Sequence, residues 1–224
     1  VSAALADLTW PEAAEYAENA ILTVPVGATE QHGPHLPLST DTDIAVALAE
    51  GARRRLDRVV VAPPLAYGSS GEHADFAGTL SIGNTVTELL LIELGRSAST
   101  TFSRVVYIST HGGNRAPVAR ATRQLVAEGR AVSAWSPCWE GDAHAGRIET
   151  SIMLALAPAY VVLPRAVPGN CTPLAELMPS LRRNGVRHLS DSGVLGDPTG
   201  ASATEGQLLL NAAIEDLVTN LNGG

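Results

Sequence analysis

"AILTVPVG", residues 20–27, is short, apolar and β-branched, and it stops at a glycine. It reads as a buried strand. The text that follows it, "EQHGPHLPLSTD" at residues 30–41, packs Glu30, His32, His35 and Asp41 between glycine and prolines. Those breakers make it a loop. A chain with only six histidines thus places two of them, flanked by carboxylates, just beyond a strand end.

Outward from this strand, helix and strand signals alternate. "DIAVALAEGARRRL" has helical spacing at Ile44, Leu48 and Leu56, and Thr42 or Asp41 is expected to cap its start. "RVVVAPPL" is a second strand. "NTVTELLLIELGRSAST" is a helix with Thr85 and Glu88 at capping-box spacing. "RVVYIS" is a third strand, "PVARATRQLVAEGR" a helix stopped by Gly129, and "AVSAW" a fourth strand. "ETSIMLALAP" reads as a buried helix, "YVVLP" as a short fifth strand, and Glu205 to Leu221 as a closing helix. Pro168 to Thr204 is the least regular stretch. This rhythm predicts a mostly parallel sheet with helices on both faces, in one domain spanning residues 1–224.

Composition narrows the function. The chain has 224 residues, 45% of them hydrophobic, and a net charge of −8 with no long basic run. A nucleic-acid groove or an anionic membrane surface is a poor fit. The Arg53-Arg54-Arg55 cluster suits a helix end, where cations favour the dipole. Two distant cysteines, Cys138 and Cys171, make neither a disulfide framework nor a zinc knuckle, and they suit a reduced, cytoplasmic setting. No apolar run approaches the roughly 20 residues of a membrane span, and no signal peptide is visible.

In open parallel sheets, ligands bind beyond the carboxyl ends of the strands. Four such ends carry His32 and His35, then His73, then His111, then His144. Histidine with carboxylate suits zinc, manganese or iron. Glu30 and His32 are two apart, so an extended backbone points both the same way. Asp41, at a helix start, could bridge two ions with its two oxygens. Two metals about 3.5–4 Å apart lower the pKa of water and polarise a carbonyl. Plainer readings exist for each residue alone: Asp41 as a helix cap, His111 as a turn residue, Glu149 as a first-turn carboxylate, Trp139 as an edge aromatic.

The stretches "VPVGATEQHGPHLPLSTD", "GSSGEHADFAGTLS", "THGGN" and "HAGRIETS" resemble the creatininase (creatinine amidohydrolase) family in order and spacing, across residues 24–151. The resemblance implies a three-layer α/β/α sandwich holding two divalent metals. Glu30, Asp41 and His111 would hold one, and His32 and Asp41 the other. Creatininases proper supply a further glutamate where this chain has Gly113, and Glu149 is the candidate replacement. His144 matches the family histidine that shuttles a proton to the substrate amide. Gly112-Gly113, in place of a bulky aromatic and that glutamate, implies a more open pocket. The text "RAVPGN…PLAELMPSLRRNGVR…SGVLGDPTGAS" resembles the mycofactocin-maturation peptidase branch, which cuts a C-terminal Val-Tyr from a modified precursor peptide.

On this expectation, Glu72 or Glu149 takes the proton of water, His144 protonates the leaving amine, and Ser70, His73 and Trp139 contact the peptide. Family members also form closed homo-oligomers, often hexamers. Two alternatives stay open: hydrolysis of a small cyclic amide or formamide, and a metal-holding module without turnover.

Overall fold

The computed structural model describes residues 3–17 and 19–223. Five strands form its centre: β1 (Ala3–Ala4), β2 (Ile21–Val26), β3 (Val59–Val61), β4 (Arg104–Ser109) and β5 (Val132–Trp135). They pair in the order β1-β3-β2-β4-β5, and every pairing is parallel. Successive strand side chains point to opposite faces. β4 therefore sends Val106 and Ile108 into one core and Val105 and Tyr107 into another. The first core packs α2 (Thr40–Arg53), α5 (Arg147–Leu156) and α7 (Ala203–Asn222) on the sheet, and the second packs α3 (Gly83–Ala98) and α4 (Arg115–Ala127). This is the expected α/β/α sandwich. Cover on both faces is why its strands read as unbroken apolar runs.

The topology creates the site. From β2 the chain moves outward to β3, then returns past β2 to β4. The loops that follow β2 and β4 therefore diverge at the carboxyl edge, which opens a crevice there. The pairing runs in register from Ile21↔Arg104 to Val26↔Ser109. Both strands thus end level, and Thr110 N–H donates to Val26 O at 3.3 Å.

Several local expectations are corrected. α2 begins at Thr40, with Ser39 at the cap position, so neither Asp41 nor Thr42 caps it. Ser39 Oγ donates to Asp43 at 2.7 Å, and Thr42 Oγ1 donates to Ala28 O at 3.0 Å. Asp41 is thereby left for other work. α3 begins at Gly83, so Thr85 lies inside the helix and no capping box forms with Glu88, which accepts instead from Arg120 Nε at 2.6 Å. "YVVLP" is not a strand. Prolines fix φ near −65°, and Pro158 and Pro164 sit in two 3₁₀ turns, Pro158–Tyr160 and Leu163–Arg165. Between them, Val162 N–H donates to His35 O at 2.8 Å rather than to a sheet neighbour. The fifth strand is β1, at the other edge. Two helices escaped the sequence reading, α1 (Trp10–Tyr16) and α6 (Leu174–Asn184). α6 lies in the irregular stretch, carries Pro179 inside it, and buries only Leu177, in a small cluster with Val186 and Leu195.

Candidate metal centre

Gly27 ends β2 because α2 starts against it: a Cβ there would lie 2.5 Å from the Thr42 backbone. The loop from Gly27 then doubles back and delivers Glu30, His32 and Asp41 to one buried spot. Glu30 and His32 are fully buried, Asp41 is 2% exposed and His111 6%. The two oxygens of Asp41 face different histidines. Oδ1 lies 3.4 Å from His32 Nε2, and Oδ2 lies 3.4 Å from His111 Nδ1. Glu30 Oε2 stands 3.2 Å from His111 Nε2. Glu149 Oε2 stands 4.0 Å from His32 Nε2 and accepts the Ala145 N–H at 2.6 Å. Ala145 takes a left-handed φ of 53°, a conformation that costs about 1 kcal/mol for an L-residue. That bend brings His144 and Glu149 to the same cluster. Donor atoms of Glu30, Asp41 and His111 converge within 4.8 Å, as do those of His32, His144 and Glu149, and those of Glu30, His73 and His144.

The donors fit cations. His32 Nδ1 lies 3.1 Å from the Glu30 carbonyl. A proton donated there fixes the tautomer and leaves Nε2 as a lone pair among carboxylates. His32 Nε2, both Glu30 carboxylate oxygens and Asp41 Oδ2 are buried without a hydrogen-bond partner. Buried polar atoms left in that state are costly and uncommon, and a divalent ion would satisfy all four. The titration behaviour agrees. Burial acts to lower the pKa of His32, yet Asp41, Glu149 and Glu30 outweigh it and raise the group to about 10. His111 rises to about 10 against its own burial, driven by Glu30 and Asp41. Burial likewise acts to raise Glu30, but His111, His73 and His32 hold it well below the usual carboxylate range. The cluster demands positive charge.

Uncharged residues outside the expected donor set organise this centre. The Gln31 amide nitrogen lies 2.8 Å from His73 Nδ1, 3.0 Å from His144 Nε2 and 3.1 Å from Gly193 O. His144 Nε2 also lies 2.8 Å from Gln31 O. When Nε2 donates to that carbonyl, Nδ1 turns to the cluster, 3.8 Å from Glu30 Oε1. Asn114 staples two strand-end loops: its Nδ2 donates to Gly27 O and its Oδ1 accepts from Ser69 N, each at 2.8 Å. Thr110 Oγ1 donates to the Asp41 carbonyl at 2.8 Å. Only the proximity of Asn114 and Thr110 to His111 could have flagged two of them.

A cavity of about 430 Å³ opens onto His111 and Glu149, and Trp139 lines it. Ser70 and His73 are buried and do not line that cavity. Ser70 Oγ is 3.4 Å from His111 Nε2, and His73 Nε2 is 3.4 Å from Glu30 Oε1. Burial and His144 lower the His73 pKa to about 3. Glu72 Oε1 lies 3.9 Å from His111 Nε2, and burial raises its pKa. Burial and then His32 lower that of His144.

A buried set of imidazoles and carboxylates at the switch point of an α/β/α sheet suits divalent metal ions, as a metal-dependent hydrolase requires. The family model described as "Creatininase: Creatinine amidohydrolase" matches residues 6–221, and the chain belongs to that family. It is 53% identical over 194 residues to a Mycolicibacterium smegmatis protein named "Mycofactocin precursor peptide peptidase", covering 84% of this chain and 78% of the relative. A Mycobacterium ulcerans protein of the same name is 47% identical over 223 residues, covering 95% and 85%. A solved structure described as "Creatininase Mn" superposes with a TM-score of 0.83 at 26% identity, covering 99% of this chain and 98% of that one. The reaction class is hydrolysis of amide or peptide bonds.

Proposed function

We propose that this chain is a metal-dependent peptidase of mycofactocin biosynthesis, which hydrolyses an amide bond of the modified precursor peptide and releases its C-terminal Val-Tyr-derived core. The 53% identity to the M. smegmatis peptidase carries this reading. We place two divalent ions, zinc, iron or manganese, in the cluster. Glu30, Asp41 and His111 would hold one, and His32, Asp41 and Glu149 the other. Bound there, such ions supply Lewis acidity, which activates water and polarises the scissile carbonyl.

The chain's own groups move the protons and seat the peptide. Burial raises the Glu72 pKa, which makes its carboxylate a stronger base, and we assign it the proton of the attacking water beside His111. His144 rests neutral, because burial lowers its pKa. Glu72 takes the first proton of the attacking water; Nδ1 of His144 takes the second, from the hydroxyl that has added to the carbonyl carbon, and passes it to the leaving nitrogen as the C–N bond breaks, which leaves a carboxylate and a free amine. Gln31 holds the His144 ring at Nε2 and keeps Nδ1 aimed at the cluster. Trp139 offers the peptide an aromatic wall. The chain works as one domain, in a closed homo-oligomer, in the cytoplasm; two free, exposed cysteines suit that reducing compartment.

Mass spectrometry of metal-loaded protein with the modified precursor peptide tests the reading. Loss of the C-terminal Val-Tyr unit, abolished by chelator, is expected. An intact peptide beside a cleaved small cyclic amide or formamide would replace the peptidase with a small-amide hydrolase.

A further inference from the structure

Two adjacent glycines in the loop after β4 lack side chains for different reasons. Neither Gly112 nor Gly113 has a positive φ, so backbone conformation demands glycine at neither. A Cβ on Gly113 would overlap the Ser69 carbonyl oxygen and His111 Nε2, and would lie 2.5 Å from Glu72 Oε1. That glycine is the room into which the 69–72 turn closes on His111. A Cβ on Gly112 would meet nothing within 4 Å. Packing does not need glycine there either.

Gly112 does line the 430 Å³ cavity, whose apolar lining includes Pro137, Trp139 and Ile148. The same cavity reaches Glu149 and His111. An amide held at the cluster would therefore extend one side of its scissile bond past Gly112. A Cβ at 112 would meet no neighbour in the fold, and a larger side chain would take space from whatever occupies the cavity. A volume of this size accommodates more than a single small ring, and aromatic surface such as Trp139 favours flat or apolar groups.

We propose that Gly112 is the specificity-determining position of the reaction: its missing side chain admits the bulky residues of a peptide to the cavity beside the metal cluster. This deepens the peptidase reading above and rests on it. The substrate class is a peptide with large apolar or aromatic groups next to the scissile bond. Gly113, by contrast, sets the geometry of the centre and not the choice of substrate.

The series Gly112→Ala, Gly112→Val and Gly112→Phe tests this on the modified precursor peptide, with KM and kcat measured separately. The released C-terminal product is assayed as a competitive inhibitor, and metal content and melting temperature are followed in each variant. The expected result is a KM and a product Ki that rise with side-chain volume. Gly112→Phe should lose kcat/KM by on the order of 100-fold, chiefly through KM, with metal content and melting temperature at wild-type values. A Gly112→Phe variant with wild-type KM would overturn the inference while the peptidase reading stands. So would a Gly112→Ala variant that already sheds metal or melts early, because position 112 would then be structural. A wild-type protein that holds metal but leaves the peptide uncut would overturn the peptidase reading, and this inference with it.

Discussion

Replacing Gly113 with alanine adds one methyl group and should disable the centre. The new Cβ would overlap Ser69 O and His111 Nε2 and stand 2.5 Å from Glu72 Oε1, whereas ordinary contact begins at 3.4 Å. Relief at Glu72 alone needs about 0.9 Å. The carboxylate is the flexible end and can swing, but Ser69 O is backbone. Its turn is pinned by the Ser69 N–H to Asn114 Oδ1 bond of 2.8 Å and by the His111 Nε2 contact to Ser69 O of 2.8 Å. His111 must therefore move, or the turn must. Overpacking of this kind costs about 1–3 kcal/mol, and each kcal/mol lowers Tm by roughly 2–4 °C in a chain of this size. The melting temperature should fall by about 2–12 °C. Displacing the His111 imidazole by about 1 Å should lower turnover by on the order of 100-fold. Differential scanning fluorimetry, metal analysis by mass spectrometry and peptide turnover, run on one preparation, read all three. A Gly113→Ala protein with wild-type Tm, metal and turnover would refute the claim that this glycine makes room for the 69–72 turn.

Three further outcomes are expected. Asp41→Asn keeps the side-chain shape but removes the charge facing both His32 and His111, so metal analysis should show loss from both positions and not from one; turnover should fall at least about 100-fold. His144→Ala should retain metal while kcat falls roughly 10²–10⁴-fold, and loss of metal would make His144 a ligand instead. In metal-free protein, His32 and His111 titrate near 10, so a cation must displace their protons. Apparent affinity should therefore fall as pH falls, by about tenfold per pH unit for each proton released, read by competition with a calibrated chelator at several pH values. The same shift acts on metal-free stability with a definite sign. Both pKa values lie above the unfolded value of about 6.5, so the stabilisation is full below about 6.5 and is lost as pH rises through about 10. A melting temperature that climbs over that range would contradict it.

The layers of the fold were legible because they rest on local pattern. "RVVYIS" and "AILTVPVG" are continuous apolar runs, and continuous runs mean strands covered on both faces. The residues that gather in the cluster were legible because they follow strand ends, where a parallel sheet binds ligands. What escaped depends on distant partners. Gln31 is an ordinary loop glutamine until His73, His144 and Gly193 arrive from 42, 113 and 162 residues away. Asn114 reads as a turn residue until it joins Gly27 to Ser69. "YVVLP" carries β-branched residues, but no strand among the described residues pairs with it, and Pro158 before it and Pro164 at its end turn the chain instead. α6 hid in a polar stretch with a proline inside, and it is held by Leu177 and Leu181 packing with Val186 and Leu195. The two glycines at 112 and 113 look equivalent in sequence, and only the position of the 69–72 turn tells them apart.

We propose that the cluster around Asp41 holds two metal ions that serve peptide hydrolysis. Stripping the protein with chelator and restoring metal stepwise, while counting ions per chain and following release of the C-terminal product, tests it most directly. Turnover should be absent without metal and should rise until two ions are bound per chain. Full turnover in stripped protein, or a plateau at one ion per chain, would contradict it.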